Sequence, residues 1–382
     1  NLVEKGLRLM ANLDGDMASV LHNYLRKYGL KIFTNFDAKE IKEEKNQLIL
    51  SSTDKTISSD FILICVGVIP ESKLAKDAGL ELGIKDSIKT NKYLQTSDPD
   101  IYAIGDAIEI PNYITKKAAN IPLAGPANKQ GRIVANNIAG YITEYHGSIS
   151  SSIMKFMELT IASTGLNEKQ ASDAGYDFDY IVISSSSHAG YYPGASNMTM
   201  KVIFEKGSGK ILGTNIIGFD GVDKRIDVLA TAIHAGMTAK DLGELDLAYA
   251  PPFSSAKDPV NMVGYVIDNV VSKKINQVHW DSVENSDKAI LLDVRTRGEY
   301  KRGHINYALN IPLDELRENL NKLPPNKTIY IHCQTGLRSY IACRILNQLG
   351  YKTYNISGGY SFYEQVEKDK CLEMNCSYPC DK

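Results

Sequence analysis

Nothing in these 382 residues is long and apolar enough to read as a membrane span, and no short apolar segment behind a basic start reads as a secretory leader. Charge of neither sign is in excess. The 43 lysines and arginines nearly cancel the 45 aspartates and glutamates, and no basic block gathers, so nucleic acid and membrane are excluded as main partners. Six cysteines, spread unevenly and without a leader, point to a reducing, cytoplasmic location. What remains is small-molecule chemistry in a chain long enough for about two to three domains, each with its own core.

One stretch carries a complete catalytic constellation in consecutive residues: Thr328-Ile-Tyr-Ile-His-Cys333-Gln-Thr-Gly-Leu-Arg338-Ser339. The run Ile329 to Ile331 predicts a buried strand, and Ile341, Ile345 and Leu349, four apart, predict a helix over 338–349. Cys333 thus falls where a strand hands over to a helix. Gln334, Thr335, Gly336 and Leu337 can curl so that successive N–H groups point inward, and with the helix dipole behind them they favour a thiolate nucleophile. Gly336 allows a positive φ in the curl, and Arg338 can close the cradle from the far side.

Earlier segments read less sharply. The start, Leu2-Val3, reads as the middle of a helix that Gly6 stops. Met17, Val20, Leu21 and Leu25 give one apolar face to a helix over 16–28, followed by a short strand at 31–35. Leu48 to Leu50 and Phe61 to Val66 predict further strands, with Cys65 in the core. Thr96 to Asp106 reads as a turn, a buried strand, then Gly105 and Asp106 at the strand's carboxyl end, where open α/β sheets bind ligands. Asp106 can accept a hydrogen bond from a sugar or ribityl hydroxyl.

Met200, Val202 and Phe204 alternate up to the turn at Gly207-Ser-Gly209, and Ile211, Gly213 and Asn215 continue the second arm of a hairpin. Ile226, Leu229, Ala230 and Ile233 repeat at helical spacing. Asp258-Pro259 caps a helix with a broad apolar face through Met262, Val263, Val266, Ile267 and Val270, suited to a core or a subunit interface. Ser272 to Gln277 reads as a polar linker. Cys371, Cys376 and Cys380 sit in a loose tail, open to a part metal site, persulfide resolution or neither, and no metal site is expected.

The Cys-x4-Arg ring around Cys333 resembles rhodanese rather than the Cys-x5-Arg phosphatases. Leu291-Leu-Asp293-Val-Arg295, Gly303-His304-Ile305 and Ala308-Leu-Asn-Ile-Pro312 resemble the segments that precede that loop. The resemblance implies that Cys333 carries a sulfane sulfur as a persulfide, with Arg338 as its catalytic companion and Gln334, Thr335, Gly336, Leu337 and Ser339 as the persulfide loop. Asp293, Arg295 and His304 either brace the loop from beneath or touch substrate.

Thr96 to Asp106, Leu123-Ala124 and Asn128 to Gly131 resemble the second flavin segment of the FAD-dependent pyridine nucleotide-disulfide oxidoreductases. That implies FAD-binding by Gly105, Asp106, Pro122, Leu123 and Ala124. Ser187 to Ala195 and Tyr249 to Asn261 resemble the coenzyme A-disulfide reductase branch, whose fused form ends in a rhodanese domain; Tyr192 and Tyr249 are then candidates for the coenzyme A site, or else loop anchors. The expected fold is α/β: a remnant of an NAD(P)H-binding domain over 1–68, the C-terminal part of an FAD-binding domain over 69–147, an α+β dimerisation domain over 148–272 and a C-terminal α/β rhodanese domain over 278–382. Neither glycine-rich cofactor fingerprint of that family occurs, so the chain is expected to be a truncated or interrupted piece of a larger flavoprotein. The implied activity is NAD(P)H- and FAD-dependent reduction of coenzyme A disulfide, coenzyme A persulfide or polysulfide by a homodimer, with Cys333 handling sulfane sulfur. The alternatives are a sulfur carrier or sensor without turnover, and an arsenate reductase or phosphatase built on the same loop.

Overall fold

The structure, a computed structural model, describes residues 1–284 and 286–374, which separate into two units. The larger holds residues 1–37, 153–163 and 167 onward, and the smaller holds 38–152 with 164–166.

In the larger unit, five parallel strands run in the order Gln277–Val278, Thr353–Ile356, Thr328–His332, Ala289–Asp293, Leu309–Asn310. A strand covered on both faces favours an unbroken apolar run, and Ile329, Tyr330 and Ile331 supply it in Thr328–His332. Ile329 and Ile331 face Ala342, Cys343 and Leu346 of helix Leu337–Gln348, while Tyr330 joins Leu291, Ile305 and Ile356 on the other face. Each such side chain contributes on the order of 1.5–3 kcal/mol by leaving water.

An antiparallel sheet lies beside it, ordered Phe178–Ser186, Asn197–Glu205, Ile211–Gly218, Leu159–Gly165, Ser152–Phe156. Its hairpin matches the predicted alternation, with a register shift at Ile203/Phe204. The exposed edge of such a sheet invites unwanted pairing. Here the parallel domain covers it: the Val182 N–H donates to Ser357 Oγ at 2.8 Å, the Gly358 N–H donates to the Val182 carbonyl at 3.1 Å, and Gln277 Nε2 donates to the Tyr180 carbonyl at 2.9 Å.

Helix Gly15–Lys27 packs Met17, Leu21 and Leu25 against Ile161, Val182, Ile217 and Phe362. Two polar staples secure it. His22 accepts the Leu9 N–H on Nε2 at 3.2 Å, which leaves the proton on Nδ1 to donate to Asp369 at 2.9 Å. Lys201, fully buried, meets Asp16 at 2.8 Å, Asp14 at 3.5 Å and Glu168, and sits 3.9 Å from the Tyr180 ring centre. Burial works against its charge, but the three carboxylates outweigh burial and hold the ammonium firmly protonated. Burial pushes Asp14 up to about 6 despite Lys201.

The smaller unit contains a three-stranded antiparallel meander, Glu40–Glu44, Gln47–Ser51 and Thr56–Ser59, a two-residue pair Ile110–Pro111 with Ala118–Ala119, and helix Ala124–Ile138.

Five expectations need correction. Leu2–Val3 is a strand, not helix, because Ile32–Phe33 pairs with it in parallel. Phe61 to Val66 forms no strand: among the described residues it has no ladder partner, Phe61 and Val66 stand 75% and 92% exposed, and Cys65 is exposed rather than core. Among the described residues the run before Gly105 pairs through one bridge, Gln95 to Tyr102, and Ile101 and Ile104 stay exposed. Ser272 to Gln277 is no free linker, since Ile275 is buried in the parallel domain's core and Lys274 O accepts from Arg344 at 2.8 Å. Cys371 is buried in helix Gly359–Met374, not in a loose tail; Cys376 and Cys380 lie outside the described residues.

Candidate active site

Cys333 directly follows the central strand Thr328–His332, and the turn to helix Leu337–Gln348 wraps around its sulfur. The Gly336 N–H points at Sγ from 3.1 Å, Ser339 Oγ lies 3.6 Å away, and Gly336 takes the left-handed φ of 111° the curl requires. N–H groups can face inward only if the loop's carbonyls face out. The Tyr360 N–H takes the Cys333 carbonyl at 2.8 Å, and Ser361 takes that of Gln334 with both its N–H, at 3.0 Å, and its hydroxyl, at 2.8 Å. A Cβ at Gly359 would stand 2.8 Å from both of those carbonyl oxygens, so this backing segment can approach only without a side chain.

Beneath the loop, buried Arg295 forms a forked pair with Asp293 at 2.7–3.1 Å, donates to the Gly303 carbonyl at 2.8 Å, reaches Gln334 Oε1 at 3.3 Å and lies 3.8 Å over the Tyr360 ring. Asp293 and Arg295 therefore brace the loop. His304 does not: it stacks on Tyr300 at 3.8 Å and meets the Tyr300 carbonyl at 3.0 Å. His332 is fully buried with Nε2 3.8 Å from Asp293, and burial outweighs that carboxylate and pushes the imidazole down to about 4, so the ring is neutral.

Arg338 is expected to close the cradle over the sulfur. Its guanidinium forks onto Glu299, Nη1 to Oε2 at 2.7 Å and Nη2 to Oε1 at 2.6 Å, and it also faces the Cys333 sulfur, which adds to holding it protonated. Those bonds hold Arg338 protonated and pull Glu299 down to about 2. Glu299 is fixed from behind as well, because it closes a capping box with Thr296. A cavity of about 390 Å³ opens beside the loop, lined by Glu299, Arg302, Gly303, Gln334, Tyr360 and Glu364. Thr335 is half-buried and Leu337, 59% exposed, forms a rim.

In the smaller unit the structure brings the other predicted residues together. The Gly105 N–H donates to Gln130 Oε1 of helix Ala124–Ile138 at 2.7 Å, and Asn120 Nδ2 donates to the Asp106 carbonyl at 3.0 Å. That places the turn at Gly105–Asp106 next to the segment leading through Pro122 into the helix. The Asp106 side chain is exposed, and Leu123 at the N-cap lends the first helical turn no side-chain acceptor. An exposed carboxylate beside free helical N–H groups suits a ligand that offers hydroxyls to the one and a carbonyl or anion to the other.

Tyr192 and Tyr249 share a surface of the larger unit, 43% and 47% exposed, but the hydroxyl that meets Tyr249 is that of Tyr191, at 3.1 Å. Arg225, which sequence reasoning missed, joins their two loops. Buried at 1% exposure, it donates to the Ser187 carbonyl at 2.9 Å, Ser254 Oγ at 3.1 Å and Asp258 at 2.9 Å. Burial alone would raise Asp258, but bonds from Ser254, the Val260 N–H and Arg225 hold it below the usual range. The available signal was a lone arginine beside the apolar stripe of Ile226 and Leu229.

Residues 1–131 match the pyridine nucleotide-disulphide oxidoreductase family, 151–259 its dimerisation domain, and 277–365 the rhodanese-like domain. Reduced CoADR-RHD from Bacillus anthracis is 44% identical with a TM-score of 0.93, over 96% of this chain and 66% of that one. An NAD-dependent persulfide reductase from A. fulgidus is 37% identical with a TM-score of 0.88, over 94% of this chain and 67% of that one. The CoA-dependent NAD(P)H sulfur oxidoreductase of Pyrococcus furiosus is 34% identical over 68% of this chain, which spans 58% of that relative. Coenzyme A disulfide reductase of Staphylococcus epidermidis is also 34% identical, over 66% of this chain and 57% of its own length.

Proposed function

The chain belongs to the pyridine nucleotide-disulphide oxidoreductases, with their dimerisation domain followed by a rhodanese-like domain, and from that premise we propose that it serves FAD- and NAD(P)H-dependent reduction of coenzyme A disulfide, coenzyme A persulfide or polysulfide. In this reading it works in the cytoplasm as a homodimer, and Cys333 accepts and donates sulfane sulfur. What supports it most is the Cys333 loop: a sulfur at a helix N-terminus, an N–H aimed at it from 3.1 Å, and carbonyls tied outward. Such a setting stabilises negative charge on the sulfur before attack and on the terminal sulfur of a persulfide after it.

The residues of the smaller unit fit a flavin. When bound, FAD supplies a two-electron carrier between a nicotinamide and a disulfide. Asp106 would accept hydrogen bonds from its ribityl hydroxyls, Gly105 would let it approach the backbone, and Pro122, Leu123 and Ala124 would flank the ring, with the first helical N–H groups facing its polar edge. The described residues show no glycine-rich cradle for NAD(P)H. Tyr192 and Tyr249, held by the Arg225 clamp, would contact coenzyme A, with Tyr191 as a third hydroxyl. Tethering a reductase and a sulfur acceptor keeps a reactive persulfide at high effective concentration between them.

Steady-state consumption of thiosulfate or polysulfide, measured for the protein and its Cys333→Ser variant, tests the reading. Multiple turnovers that vanish in the variant support it. Stoichiometric uptake alone means a carrier, and hydrolysis of a phosphate ester means an anion-loop enzyme of another kind.

A further inference from the structure

The cradle around Cys333 is almost without net positive charge, which is unexpected for a loop thought to hold an anion. Arg295 faces the loop but is forked onto Asp293, and Arg338 is forked onto Glu299. The adjoining cavity adds one guanidinium, Arg302, against Glu364 and the same Glu299. Glu299 is no incidental surface partner. Its side chain is 20% exposed, the Thr296 N–H and hydroxyl fix it at 2.9 and 2.8 Å, and the pair with Arg338 pulls its carboxyl down to about 2.

We propose that Glu299 sets the sulfur-donor preference of the loop: by neutralising Arg338 it disfavours small dianionic donors such as thiosulfate and favours persulfides carried on a thiol. This rests on the reading of Cys333 as the sulfur acceptor. With thiosulfate, the Cys333 thiolate attacks the outer sulfur, a new sulfur–sulfur bond forms as the donor's breaks, and sulfite leaves with the bonding pair. With a thiol persulfide the same attack breaks the same kind of bond and releases a thiolate. The first reaction brings two negative charges into the cradle and builds charge on a leaving oxyanion, which needs an unpaired cation within a few ångströms. The second brings a single charge on sulfur, which the inward N–H of Gly336 already serves. Glu299 acts through Arg338 and is a positioning residue.

Glu299→Gln is the direct test. Glutamine keeps the capping box and the side-chain shape while freeing the Arg338 charge. Kinetics with thiosulfate and with glutathione persulfide, cyanide being the acceptor, should show the thiosulfate-to-persulfide ratio of kcat/KM rising about tenfold or more, mainly through a lower KM for thiosulfate, and the rise should shrink with added salt. Glu299→Asp, which keeps the charge, should leave the ratio within about twofold. An unchanged ratio in the Gln variant, or equal losses with both donors, would overturn the proposal. On the unaltered protein, a thiosulfate rate that falls steeply with salt would do so too, because it would reveal an unpaired cation. Trapping of the persulfide separates two failures: none on Cys333 from either donor sinks the acceptor reading itself, while a persulfide formed with an unchanged ratio sinks only the role of Glu299.

Discussion

The sulfur of Cys333 sits at the end of a strand with a neighbour on each side and helices on both faces; Asp106 stands at the end of a segment that pairs through a single bridge. Around Cys333 the Asp293–Arg295 fork is buried and the outward carbonyls of the loop are bonded to the backing segment. Around Gly105 the carboxylate is open and the helix N-terminus uncapped. The difference separates two kinds of site. One is preorganised by its own domain, so its residues serve stability and chemistry together, whereas the other presents groups whose partner is a ligand, so they contribute little to the fold.

This contrast can be broken by substitution. The largest effect on stability is expected at Lys201→Met, which leaves Asp14, Asp16 and Glu168 facing one another around a buried site. Loss of one partner from such a cluster costs on the order of 3–5 kcal/mol, read as a drop in the urea midpoint. A change under about 1 kcal/mol would mean that the cluster does not hold helix Gly15–Lys27 in place.

Acid should weaken the Cys333 domain next. The His332 imidazole binds a proton below 6.5 in the unfolded chain but only near 4 when folded, so the unfolded state takes up more protons in between and stability falls as pH drops through that window. The loss approaches ~3 kcal/mol at the acid end. His332→Leu should flatten this part of the stability–pH curve, whereas an equally steep curve in the variant would assign the acid sensitivity elsewhere.

Asp106→Asn should do least to the fold, within about 0.5 kcal/mol, because the side chain is exposed. Its effect should appear instead in flavin affinity, measured by fluorescence titration of the holoprotein. A large melting shift without flavin would contradict the division drawn between the two sites.

The Cys333 loop was legible because both-face burial writes an unbroken apolar strand, and because the glycine, the nucleophile and the helix start are contiguous. Phe61 to Val66 carries the same apolar run and yet forms no strand, since pairing depends on neighbours that a local pattern does not name. Ile275 looked like part of a polar connection, and only the arriving strand Thr353–Ile356 makes Gln277–Val278 its edge. The pairing of Arg338 with Glu299 was hidden because the two lie 39 positions apart. Adjacent Tyr191 and Tyr192 could not be ranked without the turn that aims the first at Tyr249.

Mapping of sulfane sulfur after a short exposure to glutathione persulfide, by peptide mass spectrometry under non-reducing conditions, tests the central claim most directly. The account predicts one added sulfur on the peptide holding Cys333, absent from Cys333→Ser. Sulfur found instead on exposed Cys65, or none on Cys333, would contradict it.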